Sequence, residues 1–263
     1  MKLNRHIFCC LHVALSVAFQ VRIPESRVVG AYGGPVVLGC VFPSMDPGLP
    51  VDPGLVVTWQ TQGDSRVLHS YYHGTDQLDR QSREYHNRTR LYHSELRDGN
   101  ASLMLERVGL EDEGRYICSV STKDGVDSAE VQLTYAAFYN EPCLTIQAHP
   151  NSVTFTYESE GYPEPQVQWT DPMGHSLDFY TTVSSRQQGL LSLRTQLVVE
   201  QGGAINYTFT LGNPLLKQVI QRPVAYVKKT VISSPVPSRS DMDQNRHRFT
   251  GLLPVFAGLL LVF

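Results

Sequence analysis

Four things are scarce in this chain of 263 residues, and each scarcity closes off a class of function. Basic runs are missing: 22 Lys+Arg stand against 25 Asp+Glu, for a formal net charge of -3, so no stretch is built to neutralise a phosphate backbone. Nucleic acid is therefore not an expected partner. The signatures of chemistry are missing as well, with no Gly-x-Ser-x-Gly elbow, no phosphate-cradling glycine loop and no His-Glu-x-x-His zinc motif. His69 and His73 share a face of a predicted strand, but no carboxylate or third histidine has matching spacing, so they read as a solvated face. Glu111, Asp112 and Glu113 read as a turn. The expectation is a protein that is not an enzyme and uses no metal or cofactor. Long apolar runs are absent too: none reaches the roughly 20 residues that a spanning helix needs. Cysteine is the fourth scarcity, with only five.

What is present at the two ends points to export. Lys2 and Arg5 precede the apolar run 7–18, with small residues Ser16 and Ala18 placed for cleavage, so 1–18 reads as a signal peptide and the mature chain starts near Phe19. The tail 251–263 is almost wholly apolar, yet as a helix at about 1.5 Å per residue it reaches only roughly 20 Å of a roughly 30 Å hydrocarbon core. Arg246, His247 and Arg248 also lie on the wrong side for the positive-inside preference. Small residues at Ser238 and Ser240, a polar spacer within 231–250 and the apolar end fit a removable signal for a glycosylphosphatidylinositol anchor, with Ser240 as the attachment residue. A short single-pass helix is the alternative. Either one holds the protein at the extracellular face of the plasma membrane.

Export places the remaining cysteines in an oxidising compartment, where pairs persist as disulfides. Cys40 sits in the apolar run 36–42 and Cys118 in Tyr116-Ile117-Cys118, both of strand character, with Trp59 ending a strand between them. A Cys, Trp, Cys order pins the two sheets of an immunoglobulin-like sandwich, and Tyr116, two residues before Cys118, takes the tyrosine-corner position. Asp112 is expected to pair with Arg88. The bridging cysteines stand 78 residues apart, which leaves room for the extra strands of a variable-type domain at 66–73 and 75–78. The first domain is placed at 26–135.

A link at 136–142 leads to a second set of strands at 143–230, of constant type. Segments 152–157, 166–169, 191–199 and 206–211 repeat the pattern, with Trp169 as core tryptophan and Tyr207 as corner. Counted from these, the two bridge positions hold Tyr157 and Phe209, so this sandwich is expected to do without its disulfide and to be the softer of the two. Cys143 is left over. Alternation with Leu144 and Ile146 turns it outward, open either to an intermolecular bridge that links two copies or to the role of an idle thiol. The fold class is thus all-β: two tandem immunoglobulin-like β-sandwiches, variable-type then constant-type.

Acceptor sequons occur at Asn87, Asn100 and Asn206, the last against the corner tyrosine, where a glycan has little room. With Trp59 and Cys118 pointing inward, strand alternation turns Val56, Thr58, Gln60, Ile117, Ser119 and Ser121 outward from one sheet, with Lys123 and Asp124 in the adjoining turn. Val56 and Ile117 on an otherwise polar face suit the apolar centre of a binding sheet.

The segments Val67-Leu68-His69-Ser70-Tyr71-Tyr72-His73-Gly74, Asn87-Arg88-Thr89, Gly99-Asn100-Ala101-Ser102-Leu103, Gly161-Tyr162-Pro163-Glu164-Pro165 and Asn213-Pro214-Leu215-Leu216-Lys217-Gln218 resemble those of the B7/butyrophilin family, over nearly everything from Val28 to Lys228. The missing second bridge and the lipid-anchor-like tail depart from its pattern. The resemblance implies a ligand that binds a protein receptor on an opposing immune cell through the front sheet of its first domain and modulates T-cell activation. Homophilic adhesion or a decoy receptor of the same fold is the competing reading.

Overall fold

A computed structural model describes residues 18–46, 50–200 and 204–227. The signal segment up to residue 17, Ser240 and the apolar tail lie outside the described residues. Among those described, no helix is long and apolar enough to cross a membrane.

The first sandwich is built from β1 (Arg27–Ala31), β2 (Val36–Leu38), β3 (Val56–Thr61), β4 (Val67–Tyr72), β5 (Thr75–Asp76), β6 (Thr89–Leu91), β7 (Leu103–Leu105), β8 (Gly114–Thr122) and β9 (Gly125–Ala136). Its front sheet runs β1-β9-β8-β3-β4-β5 and its back sheet β2-β7-β6, so β4 and β5 are the added strands of a variable-type domain. β1 joins β9 in parallel, and the remaining strand pairs of this sandwich are antiparallel. β5 is only two residues long, which leaves that sheet edge little free backbone to recruit another strand.

Period-two alternation carries the core. Val57 and Trp59 of β3 and Tyr116, Cys118 and Val120 of β8 are buried, facing Leu38, Leu103 and Leu105 of the back sheet. Cys40 and Cys118 are bonded across the gap with Cα atoms 6.4 Å apart. Trp59, in register with Cys118, donates its Nε1–H to the carbonyl oxygen of Ala101 at 2.9 Å. Tyr116 donates its hydroxyl to the Asp112 carbonyl at 2.5 Å, and the Asp112 carboxylate pairs with Arg88 and accepts the Gly109 N–H at 2.8 Å. β2 ends at Leu38, so Cys40 stands just past the strand instead of within it, held by hydrogen bonds with Ser102 and Ala101.

The second sandwich comprises β10 (Cys143–Ala148), β11 (Ser152–Gly161), β12 (Gln166–Thr170), β13 (Tyr180–Ser185), β14 (Leu191–Glu200), β15 (Ala204–Asn213) and β16 (Gln218–Val227). Sheets β10-β11-β14-β13 and β12-β15-β16 give the four-on-three pattern of a constant-type domain. Where a disulfide would sit, the rings of Tyr157 and Phe209 stack, centroids 4.3 Å apart and planes 22° apart. Trp169 lies 5.2 Å from Phe209 and 5.6 Å from Tyr157, and donates Nε1–H to Thr195 Oγ1 at 3.2 Å. Burial pushes the Tyr157 phenol up to about 12.

The stretch expected to be a simple link is built into structure. Ala136 closes β9, Tyr139 is buried in the second core, and Ala137 and Tyr162 exchange backbone hydrogen bonds at 2.9 and 3.0 Å. Asn213 Nδ2 donates to the carbonyls of both residues at 2.9 Å, so the backbone groups of Ala137 and Tyr162 are all partnered.

Candidate functional site

The outward face of β3 and β8 is a lattice set by register. Val56 lies opposite Ser121, Thr58 opposite Ser119 and Gln60 opposite Ile117. The rows extend across neighbouring strands: Val126 beside Ser121, Ser128 beside Ser119 with Ser70 beside Thr58, and Glu130 beside Ile117 with Val67 beside Gln60. All six residues expected on this face are therefore brought together, a hydroxyl-bearing middle row between two rows that carry valine and isoleucine. Val56 is exposed at 36%, and the other five are half-buried by their neighbours alone. Val126, exposed at 74%, adds apolar surface that the alternation argument left out, although its pairing with Ser121 across the β8–β9 turn would have found it. Arg115 and Glu130, 3.2 Å apart, close one side of the face as an exposed ion pair.

Lys123 and Asp124 form the two-residue turn between β8 and β9, and both are exposed. The Asp52 carboxylate accepts the backbone N–H of Lys123 at 3.1 Å and of Gly54 at 2.8 Å; these bonds hold its pKa below the usual carboxylate value. Beside the turn a cleft of about 500 Å³ is lined by Phe19, Met45, Pro53, Thr122, Lys123 and Asp124, among others. Phe19 packs its ring 6.4 Å from that of Phe42, and the Val21 N–H donates to Asp127 at 2.8 Å, so the segment just after the expected cleavage point is part of the domain's tip.

No sequon lies on the strands of this face. Asn87 is exposed, in the left-handed region at φ 55°. Asn100 is half-buried, its Oδ1 accepting the Ser102 N–H at 2.9 Å and its Nδ2 donating to Glu95. Asn206 is exposed, against the expectation of little room; it sits on β15 with its side chain turned away from the core that takes Phe209. Cys143 is exposed with a free thiol. Leu144, expected to turn inward, pairs with core residue Tyr157 but stays 36% exposed because β10 is a sheet edge with no strand beyond it.

One expectation is overturned. His69 is not on a solvated face: it pairs with Trp59 across β3 and β4, points between the sheets and is 1% exposed. His73, in the turn at φ 52°, is exposed. A carboxylate does reach His69, namely Asp76 from β5, and a third histidine, His93, reaches the same carboxylate, because the β4–β5 hairpin and the turn after β6 bring them there. Spacing along one strand could not reveal this.

The family described as the immunoglobulin V-set domain matches residues 23–135, and the one described as the butyrophilin subfamily 3 member A2-like Ig-C domain matches residues 141–220. The chain is 31% identical over 220 residues to the CD276 antigen homolog of Xenopus laevis, covering 80% of this chain and 70% of that protein. It is 32% identical over 208 residues to the HERV-H LTR-associating protein 2 of Homo sapiens, covering 77% of this chain and 47% of that protein. Among solved structures, bovine butyrophilin superposes with a TM-score of 0.67 at 22% identity, covering 81% of this chain and 99% of that one. A chain from the complex of ICOS with ICOS-L and a VNAR domain superposes with a TM-score of 0.59 at 26% identity, covering 77% of this chain and all of that one.

Proposed function

Because the chain belongs to the B7/butyrophilin family, whose members are non-enzymatic immune ligands and receptors of the cell surface, we propose that it modulates lymphocyte activation by presenting the outward face of β3 and β8 to a receptor on an opposing cell. The observation that carries this reading is the in-register lattice of Val56, Thr58, Gln60, Ile117, Ser119 and Ser121, an apolar-flanked face free of sequons on the domain furthest along the chain from the expected anchor. Apolar side chains on either side of a hydroxyl row, bounded by an ion pair, are what a protein interface can bury. That a structural neighbour was solved as ICOS with ICOS-L supports a receptor as the partner class. Attachment at Ser240 or by a short tail helix, and linkage of two copies through Cys143, belong to the same proposal.

Ile117→Asp places a charge in one of the two apolar rows of the face while leaving the inward residues untouched. Binding of the displayed protein to lymphocytes is expected to fall at least about ten-fold, the effect of a hot-spot loss above 1.4 kcal/mol, with the thermal transition of the first sandwich unchanged. Unchanged binding defeats the site. Self-association of the wild type that Ile117→Asp abolishes, with no lymphocyte binding, replaces the receptor reading with homophilic adhesion.

A further inference from the structure

Among the described strands, every sheet edge but one is guarded against recruiting another strand. β2, β5 and β6 are three residues long or shorter, and β1 opens with Arg27. β10 is bracketed by Pro142 and Pro150 and β12 by Pro165 and Pro172, while β16 carries Arg222 and Pro223. β13, Tyr-Thr-Thr-Val-Ser-Ser, is six residues long, holds neither charge nor proline and is exposed throughout. Tyr180 is 74% exposed, and Val183 stays 36% exposed although it pairs with core residue Leu193, because no strand lies beyond it. None of the three sequons lies on this sheet.

The free backbone of this edge has a definite pattern. Arg186 donates its backbone N–H to the Leu190 carbonyl at 2.8 Å, in continuation of the β13–β14 register. Alternation then turns the N–H and C=O groups of Tyr180, Thr182 and Ser184 toward β14 and those of Thr181, Val183 and Ser185 away from it. An antiparallel edge of this kind is self-complementary about a two-fold axis. Only registers that set outward-bonding residues opposite one another can form, and one of them pairs Thr182 with its twin, Thr181 with Val183 and Tyr180 with Ser184. That register also sets exposed Asp178 opposite Arg186, twice. A shift of two residues either way loses both charge pairs. Arg186, 59% exposed beside Glu160 at 3.4 Å, has donors to spare for a second carboxylate.

We propose that β13 is an interaction surface for a second copy of this chain, whose own β13 adds to it in antiparallel fashion to give one eight-stranded sheet. The partner's Thr181 would cover Val183. Two six-residue strands bury little surface, so the pair belongs to the weak, transient class. The copies run in opposite directions. The turn after β13 meets the first sandwich, where Tyr32 and Tyr135 donate their hydroxyls to Gln188 Oε1 at 2.8 Å and to the Gln188 carbonyl at 3.3 Å. β16 starts at that same end, with Gln218 bonded to Tyr139, and runs away from it to Val227. The two chains therefore continue from opposite ends of the pair, which suits copies on opposing cells under the anchorage proposed above. This contact is distinct from linkage through Cys143, because the two β10 strands are the outermost of the eight and stand about 34 Å apart.

The register is tested on the full-length chain in a Cys143→Ser background. Thr182→Cys brings two thiols together on strands whose Cα atoms are about 4.5 Å apart, within disulfide range, and the oxidised chain should migrate mostly as a dimer without reductant. Arg194→Cys, also exposed but one strand further in and about 14 Å from its twin, should stay monomeric. Thr182→Glu lies opposite Arg194 in its own sheet, so the second thermal transition should hold, yet it sets two carboxylates face to face across the two-fold. The reversible dimer seen by sedimentation should weaken at least about ten-fold. Asp178→Arg and Arg186→Asp should each weaken it, and the double change should restore it. A chain that stays monomeric up to about 1 mM overturns the pairing. Equal linkage from Thr182→Cys and Arg194→Cys, or a double charge change that stays weak, overturns it as well. A dimer that Ile117→Asp abolishes and Thr182→Glu spares does so too, and assigns self-association to the outward face of β3 and β8.

Discussion

The two sandwiches close the same gap between their sheets with different chemistry. The first joins them covalently, Cys40 to Cys118, against an indole pinned by its N–H. The second relies on Tyr157, Phe209 and Trp169 packed ring against ring. A disulfide acts largely on the unfolded chain, by removing conformations it could otherwise explore. A ring stack acts only in the folded state, through buried area and the offset attraction of aromatic faces. The covalent joint is thus indifferent to small losses of packing and sensitive to reductant, and the stacked joint has the opposite vulnerabilities.

Phe209→Ala should break the stacked joint with the largest single effect. Phe209 is fully buried and touches both partner rings, so truncation is expected to cost about 3–5 kcal/mol, confined to the second transition in calorimetry. A matching drop in the first transition would mean that the sandwiches unfold as one cooperative unit. Next in size is the paired change Cys40→Ala with Cys118→Ala, expected to cost the first sandwich about 2–5 kcal/mol and to leave the second where it was. Added reductant should reproduce that pattern in the wild type.

Alkali distinguishes the joints again, because a disulfide does not titrate and a phenol does. The buried, protonated form of Tyr157 is the stabilising one, and its folded pKa of about 12 exceeds the value of about 10 for a free phenol. Its contribution is therefore intact below about pH 10 and lost as pH rises toward about 12, on the order of 2 kcal/mol in all. Urea unfolding of the second sandwich across that window should show the slope, and Tyr157→Phe should flatten it.

How far the fold was legible follows from the range over which each feature is encoded. Cys40, Trp59, Tyr116 and Cys118 announce the first sandwich because each sits at a fixed offset within or between strands, and the same offsets locate Tyr157 and Phe209 without any cysteine to mark them. The outward face was legible for the same reason: alternation fixes the face, and register then places Val56 by Ser121. The His69 cluster was not, since it needs a hairpin turn at His73–Gly74 and a contact between two sheets, neither of which leaves a periodic mark. The partial exposure of Leu144 was hidden as well, because alternation names a face but not whether another strand lies beyond it.

The smallest expected effect tests whether sulfur or the tyrosine corner dominates the first joint. Tyr116 stands two residues from Cys118 on the same inward face, and its hydroxyl bond to the Asp112 carbonyl fixes the turn whose carboxylate pairs with Arg88. Tyr116→Phe keeps the ring and removes only that bond, so about 1 kcal/mol should be lost, well below the cost of removing the disulfide. A loss from Tyr116→Phe as large as that from the cysteine pair would reverse the ranking. The turn around Asp112, and not the covalent link, would then carry the larger share of the first sandwich's stability.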